Sequence, residues 1–217
     1  MKAILIYSGG MDSTTLLYEY KDNIKLAVTF DYGSKHNARE IACAVENCRL
    51  LGIPHRIIPL EFIGKYFRSD LLLSGGDIPE GGYDDENMRS TVVPFRNGIM
   101  LAVAVGLAES YDVDAVLLAN HAGDHAIYPD CRPSFIEAFD RAAEAGTYNG
   151  VRIVSPYSRI TKRDIALRGK ELGVDFSLTY SCYKGGGKHC GRCGTCTERR
   201  EALQGFDPTE SDNDWPR

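Results

Sequence analysis

The 217-residue sequence has no apolar run near the ~20 residues needed to cross a bilayer. Its first apolar stretch, residues 3–7, is too short and wrongly flanked for a signal peptide, so a cytoplasmic protein without a membrane partner is expected. A charge excess is missing too. Twenty-five basic and thirty acidic residues give a formal net charge of −5, which argues against a protein held to nucleic acid by charge. Internal repeats and low-complexity tracts are absent. The cysteines number seven, an odd count, and four crowd into the last fifth of the chain. That distribution does not suit a disulfide framework and does suit metal ligation in a reducing compartment. What is present is an ordinary apolar fraction of 43% and length enough for one sizeable core with a small appendage.

Short apolar runs alternate with helical periods. Strands are expected at residues 2–7 (KAILIY), 25–30 (KLAVTF), 56–60, 115–118 (AVLL) and 151–154. Helices are expected from near Ser13, over 36–51 before Gly52 and Pro54, over 96–110, and over 161–172 with Thr161 as a cap and Gly173 as a stop. Strands alternating with helices predict an α/β fold, a parallel sheet with helices on both faces. Residues 74–90 and 119–133 interrupt the pattern as long polar loops, and residues 207–217 read as a frayed tail. Residues 1–180 are expected to form a nucleotide-binding catalytic domain and 181–217 a four-cysteine segment and tail.

The first strand ends in Ser8-Gly9-Gly10-Met11-Asp12-Ser13-Thr14-Thr15, at the carboxyl edge of the sheet and the start of a helix. The glycines let backbone N–H groups approach a ligand, the hydroxyls add donors, and the helix N-terminus adds partial positive charge, so an anion is stabilised there. The segment is neither a G-x-x-x-x-G-K loop nor a G-x-G-x-x-G fingerprint. Asp12 is out of place beside phosphates unless its carboxylate braces the loop, the leading expectation, or ligates Mg²⁺, the alternative.

Cys182, Cys190, Cys193 and Cys196 offer four thiolates, with nearby glycines supplying sharp turns. Structural zinc is the leading expectation and an iron–sulfur cluster the alternative. His189 is read as a neighbour of that site, while Cys43 and Cys48 are read as small core residues.

SGGMDST resembles the SGGxDS signature of the PP-loop ATP pyrophosphatase superfamily. The segments TVVPFRN (91–97), YPDCRP (128–133) and SCY (181–183), with the later cysteines, resemble the 7-cyano-7-deazaguanine synthase family along nearly the whole chain. That resemblance implies a ligase that joins 7-carboxy-7-deazaguanine and ammonia at the expense of ATP, giving a nitrile for queuosine or archaeosine synthesis. It also implies a homodimer. Ser8, Gly9, Gly10, Met11, Asp12, Ser13, Thr14, Thr15 and Phe30 would bind ATP, with Asp12, Arg96 and Lys162 catalytic. Tyr128, Asp130, Cys131 and Arg132 would face the deazapurine. Zn²⁺ would be structural and Mg²⁺ would accompany ATP.

Cys131 is read as a shape or binding residue in preference to a thioester nucleophile, since adenylation already activates the acid. His121 and His125 are surface residues or a base for the attacking ammonium. A homologue stopping at the 7-amido product, a tRNA thiolase and a nucleotide sensor without turnover are the alternatives.

Overall fold

The computed structural model describes residues 1–212 and contains one parallel five-stranded sheet. Its strands are β1 (Ala3–Ile6), β2 (Ile24–Asp31), β3 (His55–Pro59), β4 (Ala115–Leu117) and β5 (Arg152–Val154), in the order β3-β2-β1-β4-β5. Each of the five expected runs forms one of them. The helices are α1 (Met11–Glu19), α2 (Asn37–Leu51), α3 (Glu61–Tyr66), α4 (Asp85–Met88), α5 (Arg96–Ser110), α6 (Asp124–Ile127), α7 (Pro133–Gly146), α8 (Lys162–Glu171) and α9 (Gly194–Ala202).

The strand period of two divides the core. Ile4 and Ile6 of β1 and Val116 of β4 point to the face covered by Leu101 and Ala104 of α5 and Ile136 of α7. Ala3 and Leu5 of β1 and Leu117 of β4 point to the face covered by Leu16 of α1, Cys48 of α2 and Ile165 of α8. The central strands are therefore covered on both sides, as a parallel sheet requires.

Differences from the sequence reading lie in the helices. α1 begins at Met11, two residues ahead of Ser13, because extended Gly10 (φ −77°, ψ 166°) serves as its cap. The two interrupting segments carry the short helices α4 and α6. α7 was not expected; Pro133 fits its first turn, where a missing N–H costs nothing, and Ile136 and Ala143 are buried beneath it. Beyond residue 180 the chain packs back onto the body. Cys182, Cys193 and Cys196 join the core on the α5 face.

The fully buried Arg199 of α9 donates to Thr179 Oγ1 (2.8 Å), the Phe176 carbonyl (2.7 Å) and Thr209 Oγ1 (2.7 Å). Residues 207–212, expected to fray, are fixed by that bond to Thr209 and by a bridge between His189 and Ser211. The rest of the expected tail lies outside the described residues. Among the described residues no helix is long and apolar enough to cross a membrane.

Gly9 sets how closely α2 approaches the first turn. Its φ is +90°, and a Cβ there would lie 2.2 Å from the Glu40 carbonyl oxygen. Gly9→Ala is expected to destabilise the fold by about 1–3 kcal/mol or more. A thermal melt checks this: a midpoint within ~2 °C of the parent protein contradicts it.

Candidate active site

β2 and β4 flank β1 on opposite sides, so chain order reverses beside β1 and leaves a crevice at the carboxyl ends of these strands. The turn from β1 into α1 opens into that crevice. Its hydroxyls brace it: Ser8 Oγ accepts from the Gly10 N–H (3.1 Å) and meets Ser13 Oγ at 3.0 Å. Behind it, Thr14 Oγ1 donates to the Gly10 carbonyl (2.8 Å) and Thr15 Oγ1 to the Met11 carbonyl (3.0 Å). A cavity of about 210 Å³ lies in front, more than ten times the ~15 Å³ that holds one water, so it takes a ligand.

Ser8, Gly10, Met11, Asp12 and Ser13 line this cavity, together with Phe30, Arg96, Tyr128, Cys131 and Lys162. Gly9, Thr14, Thr15, Asp130 and Arg132 do not. Gly9 faces α2, and the two threonines are fully buried behind the turn. The Asp130 carboxylate accepts from the Asn97 backbone N–H (2.8 Å), capping the exposed start of α5, and Arg132 Nε donates to the His125 carbonyl (3.0 Å). Asp31, at the end of β2, accepts from the Gly33 N–H (3.3 Å).

Lys162 opens α8 with its Nζ 3.0 Å from Asp12 Oδ2 and 2.8 Å from Glu198 Oε2. Burial alone would favour the neutral amine, but the Asp12, Glu198 and Asp124 carboxylates outweigh it and hold the pKa well above the ordinary lysine value. Lys162 is thus a fixed cation beside the glycine turn. Burial raises the Glu198 carboxyl, with Lys162 opposing. Asp12 Oδ1 is buried without a hydrogen-bond partner. The bracing role expected of Asp12 is filled instead by the hydroxyls of Ser8 and Ser13. The unpaired carboxylate oxygen suits the alternative, a hard divalent cation.

The opposite wall is aromatic. Arg96 Nη1 donates to Tyr32 Oη (3.0 Å), and its guanidinium lies 5.5 Å from that ring's centre. Phe95, left-handed at φ +54°, turns the chain so that α5 starts at the cavity. Tyr128 and Tyr183 join hydroxyls at 3.0 Å, and Tyr83 donates to Asp124 Oδ1 at 3.1 Å. Cys131 Sγ accepts from Asn97 Nδ2 (3.0 Å). Burial, with Asp124 and Asp130 adding, pushes its pKa well up and keeps it a thiol. His121 and His125 do not line the cavity. His121 Nδ1 accepts from the Gly123 N–H (3.1 Å), and its Nε2 sits 3.5 Å from Asp124 and 3.6 Å from Glu198.

Sequence reasoning passed over His36, Glu40, Tyr83, Tyr180 and Glu198. His36 and Glu40 carried a usable signal: they follow β2 at the same sheet edge and stand one helical turn apart. Glu198 carried none, lying in a charged stretch after the last cysteine.

The ligand sulfurs of Cys182, Cys190, Cys193 and Cys196 all lie within 4.8 Å of one another. Cys190 and Cys196 are 3.9 Å apart, near the ~3.8 Å edge of a tetrahedron with ~2.3 Å metal–sulfur bonds. The backbone N–H groups of Arg192 and Cys193 each donate to Cys190 Sγ at 3.4 Å, stabilising a thiolate. These four residues can hold a metal ion. His189 stands outside the set: its Nε2 accepts from the Ser181 N–H (3.1 Å), and burial lowers its pKa to about 3.

The sheet order and the glycine–serine turn at its crevice are those of a PP-loop α/β protein, and the fold is shared with the NMN synthetase of Francisella tularensis. That structure aligns at a TM-score of 0.50 and 15% identity over 87% of this chain and 69% of the other. The chain belongs to the family described as queuosine biosynthesis protein QueC, which matches residues 2–207. A relative from Porphyromonas gingivalis named 7-cyano-7-deazaguanine synthase is 63% identical over 211 residues, 96% of either chain. Relatives of the same name from Desulfotalea psychrophila (54% over 213 residues; 96% and 97% covered) and Methanoregula boonei (48% over 206 residues; 94% of each) extend the likeness.

Removing a cysteine-bound ion is expected to lower thermal stability, since a group that binds only the folded state stabilises it. Elemental analysis should find one ion per chain, lost in Cys193→Ser with a drop in melting midpoint. An ion-free preparation that melts with the parent protein contradicts this.

Proposed function

We propose that this chain converts 7-carboxy-7-deazaguanine, ammonia and ATP to 7-cyano-7-deazaguanine, a step towards queuosine. The observation that carries the reading is the largely buried Lys162 cation beside a hydroxyl-braced glycine turn, paired with an Asp12 whose Oδ1 has no partner. The QueC family match and the names of the relatives supply the substrate class.

A carboxylate is a poor electrophile, and adenylation cures this. The acid oxygen attacks the α-phosphorus of ATP, pyrophosphate leaves, and ammonia displaces AMP from the mixed anhydride to give an amide. A second ATP activates the amide oxygen, whose loss as AMP leaves the nitrile. Backbone N–H groups and hydroxyls of the turn from Ser8 to Ser13 would hold the departing pyrophosphate, with Lys162 facing it as a point charge. Asp12 Oδ1 would hold a Mg²⁺ ion that offsets phosphate charge. Arg96, tied to Tyr32, would meet negative charge developing on the adenylate, and Tyr128 and Tyr183 would wall the flat base. The protonated Cys131 thiol would shape the pocket without attacking the acid.

Cys182, Cys190, Cys193 and Cys196 would hold Zn²⁺, whose closed thiolate shell supplies structure and leaves none of these four sulfurs for thiolation chemistry. A homodimer in the cytoplasm belongs to the same proposal, in line with free thiols that suit a reducing compartment.

Mass spectrometry of the product tests the reading. Acid, ammonium and ATP should yield the nitrile; an end product heavier by one water is the amide and restricts the reaction to its first half. Asp12→Asn and Lys162→Met should each cut product formation by about 100-fold or more with the cysteine-bound zinc content unchanged. Loss of the zinc in either variant contradicts the assigned roles.

A further inference from the structure

Amide formation needs a proton acceptor, because ammonia that has attacked an acyl carbon carries one proton too many. Resting on the amide-forming reading above, we propose that His36, oriented by Glu40, accepts this proton.

His36 is the one histidine that lines the cavity among the described residues. It is 3% exposed, its Nε2 lies 3.4 Å from Glu40 Oε2 one helical turn on, and its Nδ1 has no hydrogen-bond partner. Two rings fix its plane: Tyr183 stacks on it at 5.0 Å and 21°, and Tyr32 meets it edge-on at 6.5 Å. An imidazole fixed on two faces and backed by a carboxylate is an oriented base. It also stands beside the phosphate turn, because Glu40 Oε1 lies 3.7 Å from the position of a Cβ on Gly10.

The other polar groups of the wall are engaged or of the wrong kind. Asp12 is paired with Lys162 through Oδ2 and its Oδ1 is assigned to the Mg²⁺ ion, while Lys162 is held as a cation. Asp124 accepts from Tyr83 Oη and from the His121 N–H. Burial raises the phenols of Tyr32, Tyr83, Tyr128 and Tyr183, so they stay protonated.

The step balances. The ammonia nitrogen bonds to the acyl carbon, the bond from that carbon to the AMP oxygen breaks with its electron pair leaving on AMP, and one proton passes from nitrogen to the His36 imidazole. Attack of the acid on ATP releases no proton from the acid once it is ionised, so the first half-reaction does not call on His36.

That asymmetry provides the test. Exchange of labelled pyrophosphate into ATP, dependent on 7-carboxy-7-deazaguanine and run without ammonium, reads adenylation alone; amide release after ammonium addition reads the second step. His36→Asn and His36→Gln should keep exchange within about threefold and lose amide formation by about 100-fold or more, the range of a general base. Equal loss of both steps in both variants makes His36 structural and overturns the proposal, as does undiminished amide formation. Absence of acid-dependent exchange in the unsubstituted protein overturns the amide-forming reading itself, and His36 with it.

Discussion

The Lys162 ammonium joins three of the elements from which the site is built. It opens α8, pairs with Asp12 in the first turn of α1, and pairs with Glu198 on α9. Removing one partner of a largely buried ion pair costs about 3–5 kcal/mol because the remaining charge is left uncompensated. The arrangement therefore holds its geometry firmly. The three elements arrive from distant parts of the chain, and only the sheet brings them to one edge.

Glu198 gives the four-cysteine segment a second meaning. It lies two residues past Cys196, so whatever fixes the start of α9 also fixes the carboxylate that grips Lys162. Thr195 from α9 and Tyr180, Ser181 and Tyr183 from the approach to it line the same cavity as the glycine turn. The cysteine cluster thus forms part of the wall of the pocket. Arg199, buried on the next residue, anchors that wall to the segment leading into Cys182.

The sheet was legible because its signal is local: each strand is a short apolar run beside a helical period, and α5 begins and ends at the expected residues 96 and 110. The glycine turn was legible for the same reason, since a strand, two glycines and a helix start fall within a few residues. The cavity's far wall was not. Asp130 resembled a base-recognising carboxylate, yet its side chain caps α5 by accepting from the Asn97 N–H and does not line the cavity. The pairing of His36 with Glu40 fits an ordinary helical surface pair until Tyr183 is known to stack on it. Partners far apart in sequence, such as Lys162 with Asp12 and Glu198, leave no trace in periodicity. They exist only once the chain has folded.

A structure of the protein with a non-hydrolysable ATP analogue and Mg²⁺ tests the central claim most directly. The nucleotide's β- and γ-phosphates are expected on the turn from Ser8 to Ser13, with Lys162 Nζ within hydrogen-bond distance of a phosphate oxygen and Asp12 on the cation. A nucleotide bound away from that turn, with Lys162 still confined to Asp12 and Glu198, would contradict it.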